Sequence, residues 1–256
     1  MKRILFIVSI LMFVVLSCGK SNDGNASAEG KGKKYIIATD TSFPPFEYKE
    51  NNEYVGIDID LIKKIAETEG FEIELKPMDF GGIIAALQSG QIDGAIAGAS
   101  ITEERKNSVD FSEPYYDSGV VTVVNKSNTT IKSVDDLAGK NLAVKNGTEG
   151  AKYAEDKLKG KVNVRVYEDS VSMYKAVENN QADAAFEDLP VAGYTIKITP
   201  DSKLKIATDR LTSSSYGFMV KKGANQELLA KFNSGLKKLK ENGEYNKIVE
   251  KYTGQK

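Results

Sequence analysis

Ala86-Leu87-Gln88-Ser89-Gly90-Gln91-Ile92-Asp93-Gly94-Ala95 and Ala176-Val177-Glu178-Asn179-Asn180-Gln181-Ala182-Asp183-Ala184-Ala185 correspond position by position at an offset of 90 residues. Each string reads as a helix end, a turn and a buried strand. Coincidence between two ordinary αβ units would look the same. Either origin predicts two lobes of like α/β architecture in the 256 residues.

The flanking sequence extends both lobes. In the first, residues 35–39 form a β run, and residues 58–69 place Ile59, Leu61, Ile62, Ile65 and Ala66 at helical spacing. Asp58 reads as the N-cap of that helix and Gly70 as its stop. A strand over 71–75, a helix over 82–89 closed by Gly90 and a strand over 93–97 follow. The second lobe repeats the alternation: strand 141–145, helix 149–159, strand 162–167, helix 171–179, strand 183–186. Alternating strand and helix predicts mostly parallel sheets with covered faces. The strand 215–220 and the helices 226–242 and 245–252 have no partner in the second lobe, so they are expected to complete the first. Lobe 1 is therefore expected over 34–115 and 217–256, lobe 2 over 120–211, and hinges at 116–119 and 212–216.

The offset also makes Ala97-Gly98-Ala99-Ser100 and Glu187-Asp188 equivalent strand ends. Open α/β sheets bind ligands outside the carboxyl ends of their strands. Two such ends facing one another would enclose a cleft.

At the N-terminus, Lys2 and Arg3 precede an apolar run over 4–16, broken only by Ser9. Thirteen helical residues rise about 20 Å, short of a ~30 Å hydrocarbon core. Residues 1–17 thus read as a secretory signal peptide, with a short anchor or buried helix as the alternative. Val15-Leu16-Ser17-Cys18-Gly19 resembles the lipobox of bacterial lipoproteins, which would put a lipid on Cys18. Residues 18–33 are then a lipidated, flexible tether without large apolar side chains. Loss of Lys2 and Arg3 changes the formal charge from −1 to −3. The expected location is the cell envelope, with the body outside the cytoplasm.

Composition excludes several chemistries. The chain has no His, no Trp and one Cys. No imidazole is available as general base or metal ligand, which removes Ser-His-Asp and Cys-His sites and His-ligated zinc. A single Cys closes no intrachain disulfide. The 35 basic and 36 acidic residues argue against nucleic-acid binding. No metal-ligand spacing is present, and neither a cofactor nor catalysis is expected.

Ser100-Ile101-Thr102-Glu103-Glu104-Arg105 is the most informative loop. Thr102 is a good N-cap, and Glu103 and Glu104 suit a helix N-terminus, but Arg105 opposes the dipole there. Arg105, the Ser100 hydroxyl and nearby backbone N–H groups could converge on one carboxylate; a surface Arg–Glu pair is the plainer reading. Asp40 ends a strand and Phe43 sits on a Pro-stiffened loop, either to grip a ligand or to form a turn over core aromatics. Phe80 is likewise a lid or core. Asp188 could bind an ammonium, and Lys145-Asn146-Gly147-Thr148-Glu149 could present N–H groups, a hydroxyl and a cation.

With TDTSFPPFEY, YVGIDIDLIKKIAE and LKPMDFGGIIAALQSGQIDGAIAGASITEERKNSVDFSEPYYDSG, residues 34–254 resemble the solute-binding proteins of polar amino-acid ABC importers, the glutamine binders above all. The resemblance implies a type II periplasmic-binding-protein-like fold: two α/β lobes on two hinge strands, closing on an amino acid and docking on a permease. By position it implies Arg105, Ser100 and the backbone near Ala97, Gly98 and Thr148 at the ligand α-carboxylate. It implies Asp188 at the α-ammonium, Phe43 and Phe80 around the stem, and Asp40 and Lys145 at the side-chain end. Glu187 stands where glutamine binders carry a His, and Glu149 where they carry a Gly. Both add negative charge near the cleft and leave lysine or arginine open beside glutamine. A Lys145–Glu187 pair would cancel that effect. The expected protein is a monomeric amino-acid carrier. A dehydratase of the same fold (cyclohexadienyl or arogenate) and a sensor or adhesin lipoprotein are the alternatives.

Overall fold

A computed structural model describes residues 32–254. The expected signal peptide, Cys18 and tether residues 18–31 lie outside the described residues. Two five-stranded sheets dominate. The first runs in the order Glu72–Pro77, Lys34–Thr39, Gly94–Ala95, Met219–Lys221, Val109–Phe111. The second runs Asn163–Tyr167, Asn141–Lys145, Ala184–Asp188, Val120–Asn125, Leu204–Ile206. In each sheet only the fourth strand runs against its neighbours. That strand is the one entered directly from the other lobe. The fold is the type II two-lobe α/β architecture.

The offset of 90 survives in three dimensions. Gly94 and Ala95 pair with Ile37 and Ala38, while Ala184 and Ala185 pair with Leu142 and Ala143. One residue earlier, the Asp93 N–H donates to the Ile36 carbonyl and its Oδ2 accepts from the Ile36 N–H, both at 2.8 Å. Asp183 makes the same two bonds to Asn141, also at 2.8 Å. Each carboxylate satisfies a strand N–H that would otherwise lack a partner at the sheet's start.

The first lobe buries Ile57, Leu61, Ile62 and Ile65 of the helix Ile57–Glu69 against Phe232 and Leu236 of the helix Gln226–Glu241. The returning C-terminal segment therefore completes this core. In the second lobe Val121 and Val123 face the helix Ser170–Glu178, and Val120 and Val124 face Ala154 and Leu158 of the helix Glu149–Leu158. Cover on both faces explains why valines fill both faces of this strand, at 120, 121, 123 and 124. Between the sheets, Tyr116–Ser118 pairs antiparallel with Ser214–Tyr216.

Some expectations change. Gly70 does close its helix in the left-handed conformation, at φ 69°. Its N-cap, however, is Gly56; Asp58 lies inside the first turn and is fully buried. The expected strand 215–220 splits at Gly217 and Phe218, because its first part belongs to the ribbon and its second to the first sheet. Among the described residues no helix is long and apolar enough to cross a membrane.

Candidate functional site

A small cavity lies between the two sheets at the strand ends singled out by the offset. Phe43, Phe80, Ala97, Gly98, Ser100 and Arg105 line it from the first lobe. Lys145, Thr148, Glu149 and Asp188 line it from the second.

Arg105 is positioned by the four-residue helix Glu103–Lys106. Thr102 caps that helix by accepting the Arg105 N–H at 3.2 Å. The guanidinium donates to the Ser100 carbonyl at 2.7 Å and, across the cleft, to the Gly147 carbonyl at 2.9 Å. It also stacks on Phe80, 5.2 Å from the ring centre. Among the described residues no carboxylate comes within ion-pair distance, although Arg105 is only 8% exposed. Burial lowers its pKa, with the field of Asp188 and Glu149 acting the other way. A buried, forked cation on a cavity wall is chemically suited to pair with an anion.

Asp188 supplies the opposite charge. Its Oδ2 accepts the Tyr216 hydroxyl at 2.7 Å, and no cation pairs with it among the described residues. Burial and the neighbouring Glu187 push its pKa up to about 7. Thr148 caps the helix Glu149–Leu158 by accepting the Ala151 N–H at 3.2 Å and ties back to the Lys145 carbonyl at 2.8 Å. Gly98, at φ +53°, lets Phe43 approach: a Cβ there would sit 2.5 Å from the ring.

The residue description of bacterial extracellular solute-binding proteins, family 3, matches positions 35–255. The chain belongs to this family. It is 34% identical to the arginine-binding extracellular protein ArtP of Bacillus subtilis, over 99% of this chain and 98% of that protein. It is also similar to crystallised forms of an ancestral arginine-binding protein, one bound to arginine and one to glutamine. Each is 41% identical with a TM-score of 0.82, covering 87% and 88% of this chain and 99% and 100% of those chains.

In this solute-binding protein two expected site residues stand one layer back from the cavity. Asp40 does not line it; its Oδ2 takes an ion pair from Lys145, with both side chains almost fully buried. Glu187 alternates away from Asp188 along their strand, toward Tyr174 and Ser170, and its Oε1 accepts the Asp188 N–H at 3.0 Å. Burial raises its pKa, and Lys145 partly offsets that. Lys145 therefore pairs with Asp40 rather than Glu187. Glu149, expected near the cleft, lines the cavity and accepts the Ser214 hydroxyl at 2.7 Å, while Tyr216, not among the expected residues, donates to Asp188. Glu149 was legible as an acid at a helix start, but Tyr216 gave no local signal.

Proposed function

We propose that this solute-binding protein captures a free L-α-amino acid, L-glutamine first, and delivers it to a membrane ABC importer. The observation carrying this reading is the pair of unmatched charges on opposite cavity walls. Among the described residues Arg105 lacks a carboxylate and Asp188 lacks a cation, which suits the carboxylate and ammonium of one zwitterion. Phe43 and Phe80 would flank the aliphatic stem. Lys145 offers N–H donors to a side-chain amide and, by pairing with Asp40, keeps that carboxylate from a cationic tip.

The lobes would pivot on segments 116–119 and 212–216 and close on the ligand. Ligand favours the closed state only through contacts it gains there. Lipid on Cys18 would hold the protein near its importer; Cys18→Ser should release it from the membrane fraction.

A basic amino acid is the second reading. Glu149 and Glu187 add negative charge around the cavity, and relatives named for arginine support it. Calorimetric titration with L-glutamine, L-arginine, L-lysine, L-histidine and L-cystine decides between the two. Tightest binding of glutamine supports the first reading, tightest binding of arginine or lysine the second, and no binding of any of them overturns both.

A further inference from the structure

Directly behind the cavity wall two carboxyl groups are buried together. Asp58 and Glu47 are each fully inaccessible to solvent. The Asp58 Oδ2 accepts the Gly98 N–H at 2.8 Å and the Tyr115 hydroxyl at 2.7 Å, so it fixes the backbone of a cavity-lining residue. Glu47 holds the other side of the wall: its N–H donates to the Phe43 carbonyl at 3.2 Å and its carbonyl accepts the Phe43 N–H at 2.6 Å. Among the described residues, three oxygens of the pair, Glu47 Oε1 and Oε2 and Asp58 Oδ1, lack any donor. The two side chains are nevertheless within hydrogen-bonding reach of each other.

Two buried carboxylates in contact repel, and unpaired buried acceptors are costly. A single proton resolves both problems. Asp58 already receives two donors, which favour its charged form; Glu47 receives none, and the groups facing it are Asp58, Asp40 and Lys145. The proton therefore belongs on Glu47.

We propose that Glu47 is a positioning residue that stays a carboxylic acid and donates to Asp58 Oδ1, holding the Asp58–Gly98 bond and hence the cavity wall in binding geometry. Burial, with Asp58 and Asp40 adding to it, raises the Glu47 pKa well above the ordinary glutamate range, consistent with that state. Ionising Glu47 at alkaline pH would set two like charges against each other and loosen Gly98 and Phe43 together.

The proposal rests on the amino-acid-binding reading and is tested with L-glutamine and L-arginine as probes. Glu47→Gln retains a donor without a charge, whereas Glu47→Leu removes it. Glu47→Leu should lose about tenfold in affinity, the scale of one unpaired buried acceptor, and Glu47→Gln should recover most of it. Wild-type affinity should fall more steeply at alkaline pH than Glu47→Gln affinity, whose remaining limb is that of the ligand ammonium itself. Equal losses in both variants, or an alkaline fall as steep in Glu47→Gln as in wild type, would overturn the assignment. If Glu47→Gln does not fold, the assigned side-chain carboxyl 13C resonance of Glu47 in the wild-type protein decides: protonated at neutral pH supports the proposal, ionised overturns it. Wild-type protein that binds neither these probes nor L-lysine, L-histidine or L-cystine would instead overturn the amino-acid reading, while the resonance would still report on Glu47.

Discussion

Lys145 of the second lobe forms a buried ion pair with Asp40 of the first, across the closed end of the cavity. Its ammonium also lies 4.7 Å from the Phe43 ring centre and 5.6 Å from that of Phe80. One side chain thus links the lobes and, in the proposed binding mode, would meet the ligand's side-chain end.

Lys145→Met leaves Asp40 without its cation. Breaking a buried pair from one side costs about 3–5 kcal/mol, part of which a cationic ligand could restore by taking the vacated place. The variant should lose affinity for L-glutamine by at least about tenfold and shift its preference toward L-arginine. Calorimetry with both amino acids checks this; an unchanged ratio would show that Lys145 does not set selectivity.

Arg105→Ala removes the proposed carboxylate clamp along with the bonds to Ser100 and Gly147. The expected loss is about 2–5 kcal/mol of binding, with an unchanged circular dichroism spectrum. Arg105→Lys should recover only part, because an ammonium lacks the planar fork and the stacking surface that meets Phe80. Normal affinity in Arg105→Ala would remove Arg105 from the site.

The sequence carried the architecture well because it is written in local terms. The repeat ending at Ala95 and Ala185 encodes a helix, a turn and a strand, and those units dictate the sheet order around them. Thr102 and Gly70 were legible as helix ends because capping is a neighbour effect. Asp58 was misread for the same reason. A polar residue at a helix start suggests a cap, yet Asp58 stands three and four residues before Leu61 and Ile62, on the buried face, and its partner Gly98 is 40 residues away. The strand Val120–Asn125 escaped notice because cover on both faces removes alternation. Asp40 and Glu187 fell one layer too far forward, since strand-end position does not say which way a side chain turns.

As the proposed partner of the ligand ammonium, Asp188 should make binding depend on pH. Its pKa is pushed up to about 7 by burial and by Glu187, so the native unliganded protein holds more protons than the unfolded chain between about pH 4 and that value. Stability without ligand should therefore decline as pH rises through this window. A ligand ammonium favours ionised Asp188, so binding below pH 7 should release a proton shared by the Asp188–Glu187 pair. Affinity should fall about tenfold for each pH unit well below that point. Calorimetry in two buffers of different ionisation enthalpy measures the release. A proton count near zero at pH 6, or a slope retained in Asp188→Asn, would refute this role.

Gly81 and Gly147 set how closely the lobes approach. A Cβ on Gly147, at φ +71°, would lie 3.0 Å from the Gly81 Cα, and a Cβ on Gly81 would lie 2.7 Å from Asn146 Nδ2. Asn146 alone could swing aside, but a branched side chain at Gly81 would also meet the backbone at Gly147. Gly81→Val should therefore leave each lobe folded and obstruct closure. If the closed form falls to a tenth of its population, apparent affinity falls about tenfold. Gly82→Ala is the matched control, since a Cβ there meets only the Met78 Cε at 3.7 Å. Small-angle scattering on ligand-saturated protein should show a larger radius of gyration for Gly81→Val than for wild type, with Gly82→Ala unchanged. Full compaction and full affinity in Gly81→Val would mean that the glycine contact does not govern closure.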